Sequence, residues 1–126
     1  MNTPSANVYI VDDDVPFGKS LKRLLNARGV AAEHFRSAQS FLDSVPPGQQ
    51  GYAIIDIRMP DCDGFELMGK MRDMHYDMPV IVITGQAQAN SRDMALKKGA
   101  LGFLQKPFSE DSLLELIKAC DKDNAN

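Results

Sequence analysis

Residues 8–14 read VYIVDDD: four residues suited to a buried strand, then Asp12, Asp13 and Asp14 in succession. An apolar run without alternation is what a strand covered on both faces requires, as in a parallel sheet. Three adjacent carboxylates repel one another and are costly to remove from water. The run is either a solvated acidic loop or half of a cation site where the strand opens onto solvent. The rest of the chain decides between the two.

Four further β-type runs follow, at residues 30–35, 52–55, 80–83 and around 102–104. Those at 52–55 and 80–83 are again nearly continuous apolar runs. Helix-type stretches lie between them. Asp14 caps the first, with Pro16 in its opening turn; Phe17, Leu21, Leu24 and Leu25 share one face, and Gly29 ends it. Ser37 caps a second through Val45, closed by Pro46 and Pro47. Asp63 caps a third with Phe65, Met68 and Met71 inward. A fourth runs from about Ala89 to Lys98 and stops at Gly99. Ser109 caps a fifth, carrying Leu113, Leu116, Ile117 and Cys120. Strand–helix repeats of this size predict an α/β chain: a doubly wound, five-stranded parallel sheet with helices on both faces. Right-handed crossovers set every strand C-terminus along one edge, and ligands of such sheets bind there.

The totals agree with one domain over residues 1–126. The chain has 44% hydrophobic and 25% charged residues and a net charge of −3, ordinary values for a globular fold. No apolar run approaches the roughly 18–20 residues that span a bilayer. The N-terminal MNTPSAN lacks a basic segment followed by an apolar stretch, so a cytoplasmic chain without a membrane partner is expected. Cys62 and Cys120 are too few for a disulfide framework or a four-ligand zinc site. Without a Lys/Arg cluster, direct nucleic-acid binding by this segment is not expected. The polar DKDNAN at 121–126 reads as a frayed end or the start of a linker.

The predicted edge collects the unusual residues. Asp12 and Asp13 follow the first strand, Asp56 the third, Thr84 the fourth and Lys106 the fifth. Three carboxylates in a small volume cannot all ionise without a cation. Their hard oxygens favour Mg²⁺ or Mn²⁺ over zinc. Asp56, central in the group, is the candidate nucleophile, since a carboxylate can take a phosphoryl group as an acyl phosphate. The metal and the Lys106 ammonium would neutralise that group, and the Thr84 hydroxyl would bond to it. The opening acidic run thus makes sense as half of a metal site for phosphoryl transfer. Asp14 reads as the helix cap only. Asp61 and Asp63 read as turn and cap residues, His34 and His75 as surface residues, and Cys62 as an unremarkable side chain near the site.

With VDDD, DIRMPDCDGFEL, MPVIVITG and GALGFLQKPF in this order and spacing, the chain over about residues 7–120 resembles the receiver domains of two-component response regulators. Through DIRMP, VIVITG and KPF it looks most like the receivers of FixJ-type transcriptional regulators. The resemblance implies the flavodoxin-like (CheY-like) fold with strand order 2-1-3-4-5. It implies that Asp56 accepts phosphate from a phosphohistidine on a sensor histidine kinase. Asp13, Asp56 and the backbone carbonyl of Arg58 would bind Mg²⁺, with Asp12 helping directly or through water. Lys106 would pair with the phosphoryl group and precede a cis Pro107. Thr84 and Phe103 would form the switch, although a plain core reading of Phe103 stays open. Arg58 and Gln86 occupy positions that vary in the family, and GQAQAN at 85–90 suits a mobile loop. The only catalysis implied is phosphotransfer to Asp56 and its self-dephosphorylation. The output would be a helix-turn-helix effector domain. Phosphorylation would promote a homodimer through the face of the fourth helix, fifth strand and fifth helix. Two readings of the extent stay open, a stand-alone receiver or a piece whose DNA-binding domain is absent, and the FixJ-type look favours the second.

Two rivals use similar sheets. A haloacid-dehalogenase-type phosphatase needs Asp-x-Asp-x-Thr/Val after the first strand, and Pro16 breaks that pattern here. A flavodoxin-like electron carrier needs a phosphate-cradling Ser/Thr/Gly loop there, where three aspartates would repel the flavin phosphate.

Overall fold

A computed structural model describes residues 7–60, 62–85 and 90–124. Strands and helices alternate: β1 (Val8–Val11), α1 (Val15–Ala27), β2 (Ala32–Phe35), α2 (Ala38–Ser44), β3 (Tyr52–Asp56), α3 (Gly64–Asp73), β4 (Val80–Thr84), α4 (Ser91–Lys97), β5 (Gly102–Gln105) and α5 (Glu110–Asn124). All neighbouring strands pair in parallel, in the order β2-β1-β3-β4-β5. This is the doubly wound sheet expected from the sequence, and β1, β3 and β4 are buried along their whole lengths.

Alternate side chains of these strands enter two separate cores. Val8, Ile10, Ile54, Ile81 and Ile83 meet Leu21 and Leu25 of α1 and Leu113 and Ile117 of α5. Tyr9, Val11, Ala53, Ile55, Val80 and Val82 meet Phe41 of α2, Leu67, Met68 and Met71 of α3, and Ala95 of α4. Each fully buried Val, Leu or Ile contributes roughly 1.5–3 kcal/mol relative to exposure, so both faces of the sheet are fixed.

The helix starts follow their capping residues. Asp14 accepts the Phe17 N–H at 3.2 Å. Ser37 accepts the Ser40 N–H at 3.1 Å. Asp63 and Glu66 form a reciprocal capping box, with the Glu66 N–H on Asp63 Oδ1 at 2.8 Å and the Asp63 N–H on Glu66 Oε1 at 3.0 Å. The Ser112 N–H donates to Ser109 Oγ at 3.1 Å at the head of α5.

The structure shifts several boundaries for identifiable reasons. β2 starts at Ala32 rather than residue 30, because the Val30 N–H is taken by the Leu25 carbonyl at 2.9 Å, closing α1. β3, β4 and β5 each run one residue further than expected, through Asp56, Thr84 and Gln105, because these residues still pair in the ladder. In α3 it is Leu67 that is fully buried, whereas Phe65 only packs against the edge of the core. α5 continues to Asn124, so most of DKDNAN extends the helix. Asp61, Gln86, Ala89 and most of the 85–90 stretch lie outside the described residues, as does the Cys120 side chain. Among the described residues no helix is long and apolar enough to cross a membrane.

Candidate functional site

The parallel ladder delivers the polar residues to one edge because each stands at, or just after, a strand C-terminus. Asp12 follows β1 and Asp56 is the last residue of β3. Thr84 is the last of β4, and Lys106 follows β5. Asp12 is 0%, Asp56 5% and Thr84 1% exposed, so the two carboxylates are charges out of water that need partners. One carboxylate oxygen each from Asp12, Asp13 and Asp56 lies within 4.8 Å of the others. Asp13 is the exposed member and forms the mouth of the group.

Lys106 holds the acids from the other side. Its Nζ donates to Asp12 Oδ2 at 2.8 Å and lies 3.4 Å from Asp56 Oδ2. The remaining oxygens are also engaged: Asp12 Oδ1 accepts the Asp14 N–H at 2.9 Å, and Asp56 Oδ1 accepts the Arg58 N–H at 3.1 Å. The Lys106 N–H donates to the Thr84 carbonyl at 2.8 Å, which ties the ends of β4 and β5 together beneath the site. The Lys106–Pro107 peptide is cis, as the resemblance implied.

The electrostatics match a cation site. Burial first, and then the Asp12 charge, push the Asp56 carboxyl from its ordinary 3.8 up to about 6, against the opposing pull of the Arg58 N–H and Lys106. Burial alone would lower the Lys106 ammonium, but its hydrogen bond to Asp12 and the Asp12 and Asp56 charges outweigh that, and the net shift is upward. One ammonium is therefore shared by the two buried carboxylates, with Asp13 close by, and a further positive charge would relieve Asp56. The donors are all carboxylate oxygens, a set suited to a hard divalent ion such as Mg²⁺ or Mn²⁺.

Backbone packing fixes the nucleophile candidate from behind. A Cβ on Gly64 would fall 2.6 Å from the Asp56 carbonyl oxygen, so the first turn of α3 lies directly on the end of β3, a contact only glycine allows. Beside the acids a cleft of about 600 Å³ is lined by Asp13, Ile57, Arg58, Met59, Phe65 and Met94 among others.

Sequence reasoning thus placed Asp12, Asp13, Asp56, Thr84 and Lys106 along one edge, the resemblance added the Arg58 carbonyl, and the structure brings the three acids and Lys106 into direct reach. Phe103 is not part of that group. It is half-buried on β5, paired with Val82 and packed against the α2–α3–α4 core. Sequence reasoning missed two residues. Phe17, expected only as part of an apolar helix face, lays its ring 4.0 Å from Lys106 Nζ and meets Phe108 edge-on at 5.9 Å. His34, expected at the surface, is half-buried with Nε2 2.8 Å from the Asp12 carbonyl oxygen. Its partner is a main-chain atom, which residue types do not signal. His75 is exposed, as expected.

Comparison with known proteins agrees with this geometry. The FixJ transcriptional regulatory protein of Bradyrhizobium diazoefficiens is 36% identical over 117 residues, covering 93% of this chain and 57% of that one. The response regulator protein TodT of Pseudomonas putida is 34% identical over 122 residues, covering 97% and 54%. The chain therefore spans about half the length of the curated relatives it matches. The crystal structure of FixJ-N superposes with a TM-score of 0.84 at 37% identity, over 92% of this chain and 93% of that one. None of these comparisons supports the phosphatase reading. The family model described as the response regulator receiver domain matches residues 8–118. By sequence, by sheet order and by the acids gathered at one strand edge, the chain belongs to the response regulator receiver domain family, similar to the receivers of FixJ and TodT.

Proposed function

We propose that Asp56 is the phosphoacceptor of a receiver domain in a cytoplasmic two-component pathway. The donor is the phosphohistidine of a sensor histidine kinase. An Asp56 carboxylate oxygen attacks phosphorus, the P–N bond to the donor imidazole breaks, and the imidazole leaves with the electron pair. Asp12, Asp13, Asp56 and the Arg58 carbonyl would hold Mg²⁺ or Mn²⁺. The bound ion supplies charge neutralisation for the phosphoryl oxygens and keeps Asp56 deprotonated. Lys106 neutralises the remaining charge, and the Thr84 hydroxyl donates to the transferred group. The same residues that serve the phosphotransfer also govern hydrolysis of the acyl phosphate. The observation that carries this reading is the meeting of Asp12, Asp13 and Asp56 within 4.8 Å under one lysine.

Mass spectrometry after treatment with acetyl phosphate and Mg²⁺ tests it. The native chain should gain one phosphoryl group and Asp56→Asn none; labelling of the variant at the same level would overturn the assignment.

The output follows from two-state logic: phosphate shifts the equilibrium only by binding one arrangement better. Thr84 and Lys106 supply the differential contacts, and Phe103 reads them by packing alone, having no hydroxyl. Leu96 on α4 and Leu101 before β5 are exposed apolar side chains. They support a phosphorylation-dependent homodimer through the α4–β5–α5 face, and the output so controlled would be a helix-turn-helix effector domain. Sedimentation with and without beryllofluoride checks the dimer, and an unchanged mass would defeat it.

A further inference from the structure

His34 stands on the edge strand β2, yet its ring reaches beneath α1. Nε2 lies 2.8 Å from the Asp12 carbonyl oxygen, so a ring carrying its proton there donates to that carbonyl. The next residue, Phe35, holds the other main-chain group of Asp12, its carbonyl accepting the Asp12 N–H at 3.0 Å. Space for the ring comes from Gly18, inside α1. A Cβ at that position would fall 2.2 Å from His34 Nε2, 2.3 Å from Cδ2 and 2.6 Å from Cε1. Glycine within a helix is a costly choice beside alanine, and here the imidazole fills the space it leaves.

The carbonyl in question belongs to the peptide joining Asp12 to Asp13. A peptide is planar, so holding its oxygen fixes the plane from whose two ends both carboxylates depart. One of them is buried under Lys106 and the other is the open member of the acid group. Tilting that plane turns Asp12 and Asp13 relative to Asp56. We propose that His34, seated against Gly18, is a positioning residue that sets the Asp12–Asp13 peptide and thereby the affinity of the acid cluster for a divalent cation. The proposal rests on the metal reading given above. Groups that orient metal ligands are worth about 10–100-fold in affinity.

The test measures Mg²⁺ dissociation constants by titration calorimetry, together with melting temperatures, on the whole chain. His34→Phe keeps an aromatic ring but cannot donate; its melting temperature should stay near that of the native chain while Mg²⁺ binds about tenfold more weakly. His34→Gln, whose amide N–H can reach the same carbonyl, should bring the affinity back toward the native value. Gly18→Ala pushes the ring away from the helix side and should weaken Mg²⁺ as well, giving an independent readout if the Phe variant does not fold. Native affinity in the folded Phe or Ala variants would overturn the proposal while leaving the metal site standing. Equal weakening in Phe and Gln would reduce His34 to a matter of shape and overturn it too. A native chain that takes up no Mg²⁺ would overturn the metal reading, and this proposal with it.

Discussion

The two layers that flank the sheet are built from different materials. On the α1/α5 side the buried set is mostly branched aliphatic: Val8, Ile10, Leu21, Leu25, Ile54, Ile81, Ile83, Leu113 and Ile117. On the α2/α3/α4 side, aliphatic residues such as Val11, Ile55, Leu67 and Val82 are joined by aromatic and sulfur side chains, Tyr9, Phe41, Tyr76, Met59, Met68, Met71, Met78 and Cys62. β-Branched side chains are stiff about χ1, whereas methionine adapts to irregular gaps. The half-buried Phe103 and the cleft beside the acids belong to the second side. Phe17, which borders Lys106, and Phe108, which packs on Phe17, belong to the first. A stiff layer thus supports the lysine, and an adaptable one lies where a switch would repack.

The largest expected effect comes from truncating the stiff layer. Leu25 is fully buried, and Leu25→Ala should cost about 2–5 kcal/mol in denaturant unfolding. A cost below that range would show that this layer collapses around a gap as readily as its counterpart.

The charged edge between the layers comes next. Raising the Asp56 carboxyl to about 6 means that the native state holds a proton that the unfolded chain, with its ordinary value of 3.8, has already released between roughly pH 4 and 6. Stability of the metal-free protein therefore falls as pH rises through that window. The fall amounts to about 1–3 kcal/mol from this group. Asp56→Asn should remove that component, and Mg²⁺ should raise the melting temperature more at pH 7 than at pH 4.5. Thermal melts across pH, with and without Mg²⁺, measure both; equal Mg²⁺ stabilisation at the two pH values would contradict the assignment.

Smaller effects sharpen the contrast between the layers. Met68→Leu, in the adaptable layer, should cost less than about 1.5 kcal/mol, and a larger loss in the same unfolding assay would mean that this side is packed as tightly as the other. Phe17→Leu keeps apolar volume but removes the ring face beneath Lys106. That contact is worth about 0.5–1 kcal/mol at a partly exposed site, so labelling by acetyl phosphate should slow roughly two- to fivefold. An unchanged rate would reduce the aromatic contact to packing.

Most of the fold was legible because the central strands are apolar without alternation and every helix but α4 carries its own capping residue. The chemical residues were legible because a parallel sheet sends every strand end to one edge, so position in the chain sufficed for Asp12, Asp56, Thr84 and Lys106. Contacts made through the main chain or through a missing side chain left no such trace. His34 bonds to a carbonyl, and its ring occupies the place of a Gly18 side chain. Val30 has the side chain of a strand residue, but its N–H closes α1. Leu67, rather than Phe65, fills the core because the Asp63–Glu66 box fixes where α3 begins and hence which way it faces.

The turn of α3 pressed onto the end of β3 has an implication for mutational surveys. Gly64 carries no reactive group, yet any side chain there collides with the carbonyl of Asp56. A scan of tolerated substitutions would mark position 64 as strictly as position 56, and intolerance alone would not distinguish the atom that does chemistry from the one that makes room for it.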